Sequence, residues 1–180
     1  MAKLYVVTGP SGTGLSDILA QLFCKRDDLS AVLPVTSRRM TEGETDGVGF
    51  CFYDLDQWNV LKESGDLLET TEFAGNDYGT SRAQVSKVLA EGKNALLSLE
   101  PERAAQIKKN FPEAVCIWVE PSNEELFRQR LSSGGRSERE IEVRIRTAAE
   151  QRSFSSVCDL RIADDNPDET LRALDAAING

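Results

Sequence analysis

Residues 9–16, Gly9-Pro10-Ser11-Gly12-Thr13-Gly14-Leu15-Ser16, decide the fold of this chain. They follow a short apolar run, Leu4–Val7, and precede a helical pattern with Leu15, Ile18, Leu19 and Leu22 on one stripe. An apolar strand, a glycine-rich turn and a helix are the context of the phosphate-binding loop pattern G-x-x-x-x-G-K-[ST]. The glycines of such a loop let backbone amides turn toward one anion at the helix N-terminus. The sequence therefore predicts phosphate-binding loop geometry here.

The loop departs from that pattern at one position. Both glycines and Ser16 are in register, but Leu15 replaces the lysine that reaches the outer phosphates, and the negatively charged Asp17 follows. A tight strand-to-helix turn without a ligand is the alternative interpretation. The predicted nucleotide-binding residues are Gly9, Ser11, Gly12, Thr13, Gly14 and Ser16, and the Ser16 hydroxyl is also the predicted magnesium ligand. We expect ATP chemistry to be weakened by the loss of the lysine.

Short apolar runs alternate with helical patterns beyond the loop, which is typical of a parallel sheet with crossover helices. The predicted further strands are Ala31–Val35, Ala95–Leu99, Val115–Val119 and Leu160–Ala163. Pro34 has no amide N–H and therefore suits the end or edge of a strand. We predict an α/β fold of the P-loop NTPase type, with a five-stranded parallel sheet and helices on both faces.

Capping signals predict where several helices begin. Ser122 with Glu125 and Ser137 with Glu140 have the spacing of a capping box. Asn166 before Pro167 predicts the start of the last helix. A further helix is predicted over 81–91.

Two segments interrupt the alternation of strands and helices. Residues 36–80 are rich in Gly, Thr, Asp and Glu and are predicted to form an inserted mixed β lobe, called the inserted lobe below. Residues 128–152 contain seven arginines, and a flexible joint at 132–136 separates two helical patterns there. We predict one domain over 1–180, with its core at 1–35, 81–127 and 151–180, the inserted lobe at 36–80, and an arginine-rich helical segment at 128–150.

Composition excludes several classes of protein. With 21 basic and 30 acidic side chains, the net charge is −9, which argues against nucleic-acid and anionic-membrane binding. The chain has no histidine, which excludes Ser-His-Asp catalysis and histidine zinc sites. Its four cysteines form no C-x-x-C pair, and no apolar run has signal or membrane-spanning length. We expect a cytoplasmic protein with reduced cysteines.

The chain resembles guanylate kinases almost from end to end. The resemblance rests on residues 4–14, Thr36-Ser37-Arg38, Gly43-Glu44, Gly47–Phe52, Leu68-Glu69, Gly75–Thr80, Glu91-Gly92-Lys93 and Pro121–Leu126. It implies that the inserted lobe binds GMP and that residues 128–150 are a lid. It also implies that Glu69 and Thr80 read the guanine edge, and that Arg38 and Tyr78 hold the GMP phosphate. By the same resemblance, Arg130, Arg144 and Glu100 are the catalytic candidates, and Mg²⁺ and ATP are the cofactors of an active enzyme.

Several positions depart from the family pattern. Thr41 and Gly134 replace arginines, Phe50 replaces a phosphate-contacting tyrosine, and Pro34 replaces a serine that helps read guanine. Each lost charged hydrogen bond is worth about 1.5–3 kcal/mol, although losses within one site need not add. Arg136 or Arg139 is a candidate substitute for the arginine missing at Gly134.

These departures leave several functions open. We expect a guanylate-kinase-like protein that binds GMP or another phosphomonoester, with weak or lost transfer from ATP. The alternatives are an active guanylate kinase that uses compensating lid arginines and a module that binds phosphorylated peptides. A kinase of sugar phosphates is less favoured, because Glu69 then has no guanine to read.

Overall fold

The computed structural model describes residues 1–10 and 14–179, and they form an α/β protein with two sheets. In chain order the elements are β1 (Leu4–Thr8), α1 (Leu15–Lys25), β2 (Leu29–Ala31), β3 (Val35–Thr36), β4 (Cys51–Phe52), α2 (Leu55–Glu63), β5 (Leu67–Phe73), β6 (Asn76–Ser81), α3 (Arg82–Ala90), β7 (Asn94–Ser98), α4 (Pro101–Asn110), β8 (Val115–Glu120), α5 (Glu124–Ser133), α6 (Glu138–Gln151), a 3₁₀ helix (Arg152–Val157), β9 (Leu160–Ala163) and α7 (Pro167–Asn179).

The first sheet is parallel and has five strands in the order β2-β7-β1-β8-β9. Its central strand, β1, is buried at all five residues, which explains why the sequence there is continuously apolar. One face packs against α3 and α4 through residues such as Val85 and Ile107. The other face packs against α1 and α7 through residues such as Leu22 and Leu174. The predicted parallel sheet with helices on both faces is confirmed.

The second sheet is mixed and has the order β4-β3-β6-β5. Strand β3 is parallel to β4 and antiparallel to β6, which is in turn antiparallel to β5. Helix α2 lies between β4 and β5 in the chain, and the sequence analysis does not predict it. Its start is fixed by a capping box between Asp54 and Gln57.

The prediction of one strand over Ala31–Val35 is wrong. Residues 29–31 pair with β7 in the parallel sheet, whereas residues 35–36 pair with β4 and β6 in the mixed sheet. Pro34 lies between the two strands, and its carbonyl accepts a hydrogen bond from the backbone N–H of Cys51 at 2.9 Å. The chain therefore passes from one sheet to the other at the residue that cannot donate to a ladder.

Helices α5 and α6 form a hairpin with an apolar centre of its own, composed of Phe127, Leu131, Ile141, Ala148 and Ile145. The capping box predicted at Ser137 and Glu140 is confirmed at the start of α6. The box predicted at Ser122 is wrong, because Asn123 caps α5 by accepting a hydrogen bond from the backbone N–H of Leu126 at 2.9 Å.

The last helix begins as predicted, with the Asn166 side chain accepting a hydrogen bond from the backbone N–H of Asp168 at 2.9 Å. None of the helices in the described part of the chain has the length and apolar character needed to cross a membrane.

Candidate functional site

The turn between β1 and α1 places two glycines where other residues do not fit. A Cβ atom at Gly9 would overlap the carbonyl oxygen of Val119 on the neighbouring strand. Gly14 has a φ of 76° at the N-cap of α1, a left-handed conformation that favours glycine. Ser16 is exposed in the first turn of this helix. The predicted contacts at Ser11, Gly12 and Thr13 lie outside the described residues.

Leu15 does not substitute chemically for the missing lysine. Its side chain is half-buried and packs against the apolar cluster between the sheet and helices α1 and α7. Asp17, two residues further, is exposed and is the acidic residue in the first turn of α1. The start of α1 therefore offers backbone N–H groups and a hydroxyl to an anion, but no cation at position 15.

A cleft of about 880 Å³ separates the inserted lobe from the carboxyl ends of the parallel strands. Tyr78 and Thr80 of β6 line it on the lobe side. Ser98 at the end of β7, Glu100 and Arg103 line it on the sheet side. Ligands of open α/β sheets bind at the carboxyl ends of the strands, so this cleft is the candidate site.

Glu69 lies behind the cleft, and its side chain is fully buried. Its Oε1 accepts a hydrogen bond from Thr80 Oγ1 at 2.7 Å, so the predicted pair of Glu69 and Thr80 is in contact. Arg103 donates from Nε to Oε2 at 2.6 Å and from Nη2 to Oε1 at 2.8 Å. Its Nη1 also donates to Glu100 at 3.3 Å. Glu100 is exposed at the N-cap of α4.

The charge of Arg103 is stabilised by these partners. Burial alone would lower the pKa of Arg103, but the hydrogen bonds and negative charges of Glu69 and Glu100 outweigh it and raise the pKa. Sequence reasoning missed Arg103, which lies 34 positions from Glu69 on a different element.

Arg38, a predicted phosphate contact, is paired with a carboxylate. It donates from Nη2 and Nη1 to Glu44 at 2.7 and 2.8 Å, and its guanidinium lies over the rings of Phe50 and Phe52 at 5.5 and 5.1 Å. The Phe50 ring also contacts Tyr78, with their centroids 6.0 Å apart. Arg38 lines a second hollow of about 730 Å³ and does not line the cleft that contains Tyr78 and Thr80.

Thr41, which replaces an arginine of the family pattern, also binds Glu44. Its backbone N–H and its hydroxyl donate to Glu44 Oε2 at 2.7 and 2.9 Å. The hydrogen bonds from Arg38, followed by those from Thr41, lower the pKa of Glu44 to about 2. The same ion pair raises the pKa of Arg38. Thr41 therefore stabilises the partner of Arg38 and adds no positive charge.

The two catalytic candidates of the hairpin lie outside the lining of the cleft. Arg130 forms an ion pair with Asp164, a buried carboxylate that also accepts a hydrogen bond from Thr170 Oγ1 at 2.8 Å. Arg144 is half-buried on α6. The structure thus places Tyr78, Thr80 and Glu100 at one cleft with Glu69 buried behind it, whereas Arg38, Arg130 and Arg144 lie elsewhere.

Arg136 occupies the space next to Gly134. Its Nη1 atom lies 2.3 Å from the position that a Cβ on Gly134 would take, and it donates a hydrogen bond to the carbonyl of Leu131 at 3.4 Å. Of the two candidate substitutes for the missing arginine, Arg136 is therefore the one that lies at Gly134.

The side chains of the described residues include no cluster of three or more His, Cys, Asp or Glu that would bind a metal ion. A magnesium ion bound here would take most of its ligands from phosphate oxygens and water, which is how Mg²⁺ is commonly held beside nucleotides. The exposed Ser16 hydroxyl is compatible with that arrangement.

The two sheets, the glycine turn and the cleft define an α/β protein of the class that binds ligands at the ends of parallel strands. The guanylate kinase family model matches residues 1–180. A guanylate kinase of Trichodesmium erythraeum is 36% identical over 174 residues, which cover 96% of this chain and 94% of the relative. One of Synechococcus sp. strain CC9311 is 36% identical over 180 residues, covering 99% and 95%. The chain belongs to the guanylate kinase family.

A solved structure agrees with the fold. The crystal structure of guanylate kinase from Anaplasma phagocytophilum matches with a TM-score of 0.68 at 21% identity, covering 99% of this chain and 85% of that one. At this level of identity the match supports the fold alone.

Proposed function

We propose that this protein binds GMP in the cleft and transfers a phosphoryl group from ATP to it, at a reduced rate. The observation that carries the proposal is the buried Glu69–Thr80 pair behind a cleft at the carboxyl ends of the parallel strands. The carboxylate can accept two adjacent N–H donors from guanine, and Thr80 fixes the position of one carboxylate oxygen.

The phosphate of GMP is assigned to Tyr78 and Arg38. Tyr78 lines the cleft, and the Phe50 ring connects it to Arg38. To bind a phosphate, Arg38 must exchange at least part of its pairing with Glu44 for the ligand. Arginine is suited to this exchange, since it binds carboxylates and phosphates with the same planar set of donors.

The transfer step depends mainly on positioning and on stabilisation of charge. A phosphate oxygen of GMP forms a bond to the γ-phosphorus of ATP while the bond to the β-phosphate oxygen breaks, which yields GDP and ADP. Ser16 would hold Mg²⁺, which when bound neutralises charge on the transferring phosphates. Arg130 and Arg144 are the proposed charge-stabilising groups of the hairpin, and Glu100 is the proposed acidic group at the cleft.

The reduced rate follows from missing donors. Leu15 has no charge to offer the outer phosphates, and Thr41 and Phe50 do not replace the phosphate contacts of the family pattern. We expect ATP to bind in the millimolar range or more weakly. Turnover should lie several decades below the rate of an ordinary kinase, about 1–100 per second.

An enzyme with full activity is the second candidate, and the names of the relatives favour it over weak or lost activity. They are named guanylate kinases, and they are about as long as this chain. The position of Arg136 at Gly134 is the specific observation that supports compensation. None of the relatives reported above is named as a peptide-binding protein, so the phosphopeptide module is not proposed.

A coupled assay of ADP formation from ATP and GMP tests the proposal. We expect slow turnover that depends on both nucleotides. Glu69→Ala should weaken the binding of GMP far more than that of ribose 5-phosphate, which has no guanine. Equal weakening of both ligands would contradict the role of Glu69, and turnover at an ordinary kinase rate would leave the second candidate standing.

A further inference from the structure

Arg103 holds the two oxygens that the proposed function assigns to guanine. Its Nε and Nη2 donate to Oε2 and Oε1 of Glu69 at 2.6 and 2.8 Å, a side-on bidentate pair. Oε1 also accepts a hydrogen bond from Thr80. The carboxylate is thus already engaged within the chain before any ligand binds.

The donors of Arg103 match those of a guanine edge. Guanine presents a ring N–H and an adjacent amino group in one plane, and a guanidinium presents Nε–H and Nη2–H in the same two-donor arrangement. Only one such planar pair fits side-on against a single carboxylate. The guanidinium also carries a full charge, so its hydrogen bonds to Glu69 are stronger than those of a neutral base.

Arg103 also lies between the cleft and Glu69. Arg103 lines the cleft and keeps 18% of its side chain exposed, whereas the side chain of Glu69 is fully buried and does not line the cleft. A base that enters from the cleft meets the guanidinium first.

The helix that carries Arg103 is fixed to the strand that carries Glu69. Gln106 of α4 exchanges hydrogen bonds with the backbone of Thr70 at 3.1 and 3.2 Å. Asn110 donates to the carbonyl of Leu68 at 2.8 Å. These contacts on both sides of Glu69 hold α4 against β5. The packing of the two elements therefore keeps Arg103 within hydrogen-bond distance of the Glu69 carboxylate.

We propose that Arg103 is a specificity-determining residue that competes with guanine for Glu69. This inference rests on the proposed function, in which Glu69 reads the base. GMP must displace Arg103 toward Glu100 and the cleft. Its apparent affinity therefore equals its intrinsic affinity multiplied by the fraction of molecules in which Glu69 is free. IMP lacks the amino group and gains less from Glu69, so it can bind with Arg103 left in place. Only GMP then bears the cost of displacing Arg103, which reduces the preference for GMP over IMP.

Calorimetric titration of the full chain with GMP, IMP and ribose 5-phosphate tests the proposal. Arg103→Ala should bind GMP at least about tenfold more tightly than the unmodified chain, which corresponds to an open fraction below one tenth. Its preference for GMP over IMP should rise, and its affinity for ribose 5-phosphate should stay nearly constant. Arg82→Ala is the control, because Arg82 contacts Asn110 and Phe111 and does not contact Glu69.

Two further measurements test the proposal if Arg103→Ala does not fold. Arg103→Gln leaves Glu69 with one amide donor but removes the two-donor array, and it should show the same gain in affinity and selectivity. In the unmodified chain, the protected Nε–H proton resonance of Arg103, assigned by its loss in Arg103→Lys, should disappear when GMP saturates the protein.

The outcomes separate this inference from the proposed function. GMP binding of equal strength in all folded variants, or an Nε–H resonance that persists at saturation, would overturn the competition and leave GMP binding intact. The absence of GMP binding in the unmodified chain, in Arg103→Ala and in Arg103→Gln would overturn the proposed function and this inference with it.

Discussion

Leu15 is the residue at which the turn between β1 and α1 departs from the phosphate-binding pattern. A lysine at this position would carry an ammonium group to the outer phosphates, whereas Leu15 packs against the apolar cluster below α1. The glycines at the two ends of the turn do not depend on it, since a Cβ at Gly9 would overlap Val119 and Gly14 has a positive φ that favours glycine. We therefore expect the backbone N–H groups at the start of α1 to bind an anion even though the charge that assists transfer is missing.

Leu15→Lys combined with Asp17→Thr should strengthen ATP binding by roughly one to two decades, the value of one added charged hydrogen bond. Turnover should stay low, because positions 41 and 134 still carry threonine and glycine in place of the arginines of the family pattern. Leu15→Met with Asp17→Thr is the matched control, since methionine keeps the apolar packing and adds no charge. Calorimetry with ATP measures the effect, and equal ATP affinities in the two double variants would contradict it.

The ion pair of Arg38 and Glu44 should persist at acidic pH. The pKa of Glu44 falls from 4.5 to about 2 in the folded chain, so its contribution to folding is present above pH 4.5 and is lost as the pH falls toward 2. The carboxyl carbon resonance of Glu44, followed by NMR from pH 6 to pH 2, should titrate below pH 4. Arg38→Gln should raise the midpoint, although the hydrogen bonds from Thr41 still hold it below 4.5, and an unchanged midpoint would contradict the pairing.

The resemblance to guanylate kinases, and no strand pattern, is what assigns Glu69 and Thr80 to one site in the sequence. Glu69 and Thr80 lie in adjacent strands of a predicted β lobe, and they are in contact. Arg103 has no such signal, because it is one of several charged residues on an amphipathic helix and its partner is 34 positions away. Only the packing of α4 on β5 reveals that its charge is directed into the site.

At the scale of elements, the apolar runs predict the parallel sheet because its three inner strands, β7, β1 and β8, are largely buried on both faces. They predict the mixed sheet less well. Two-residue strands such as β3 and β4 are too short to show alternation, and α2 buries Trp58 within a largely polar sequence. The Ser122 prediction failed since Asn123 is an equally good cap one residue later, and the backbone N–H of Ser122 is held by Asp165 at 2.8 Å.

The α5–α6 hairpin should open locally when its small apolar centre is weakened. Ile141 is buried there, so Ile141→Ala should cost about 2–5 kcal/mol, the usual range for a large-to-small change in a core. Hydrogen exchange should accelerate in α5 and α6 while β1 and β8 keep their protection. Val143→Ala on the same helix is the control, because Val143 is exposed. Equal acceleration in the central sheet would mean that the hairpin does not unfold separately.

At the scale of the whole molecule, two free cysteines lie where the parallel sheet meets the segment that follows the α5–α6 hairpin. Cys116 is in β8, and Cys158 directly follows the 3₁₀ helix. They are 42 positions apart, and their Sγ atoms lie 2.6 Å from each other. The sequence predicts separate reduced thiols, because the spacing matches no cysteine motif, and both cysteines are free in the structure. Their hydrogen bond lowers the pKa of Cys158, and it raises the pKa of Cys116 together with burial.

Mild oxidation should join these two cysteines. Hydrogen peroxide would oxidise the Cys158 thiolate to a sulfenic acid with release of water, and the Cys116 sulfur would then displace a second water to form the disulfide. The closed loop contains α5, α6 and the 3₁₀ helix. Loop entropy alone predicts a gain of about 4 kcal/mol in the free energy of unfolding, less any strain in the folded state.

Peptide mapping by mass spectrometry and thermal unfolding measure this outcome. Cys24→Ser should still form the bond and gain thermal stability on oxidation, because Cys24 is exposed on α1 and takes no part in the pair. Cys158→Ser should abolish both effects. Two outcomes would contradict this prediction: the unmodified chain stays reduced under peroxide, or it forms the bond and unfolds at a lower temperature. Either would mean that β8 and the segment before β9 do not allow an unstrained disulfide.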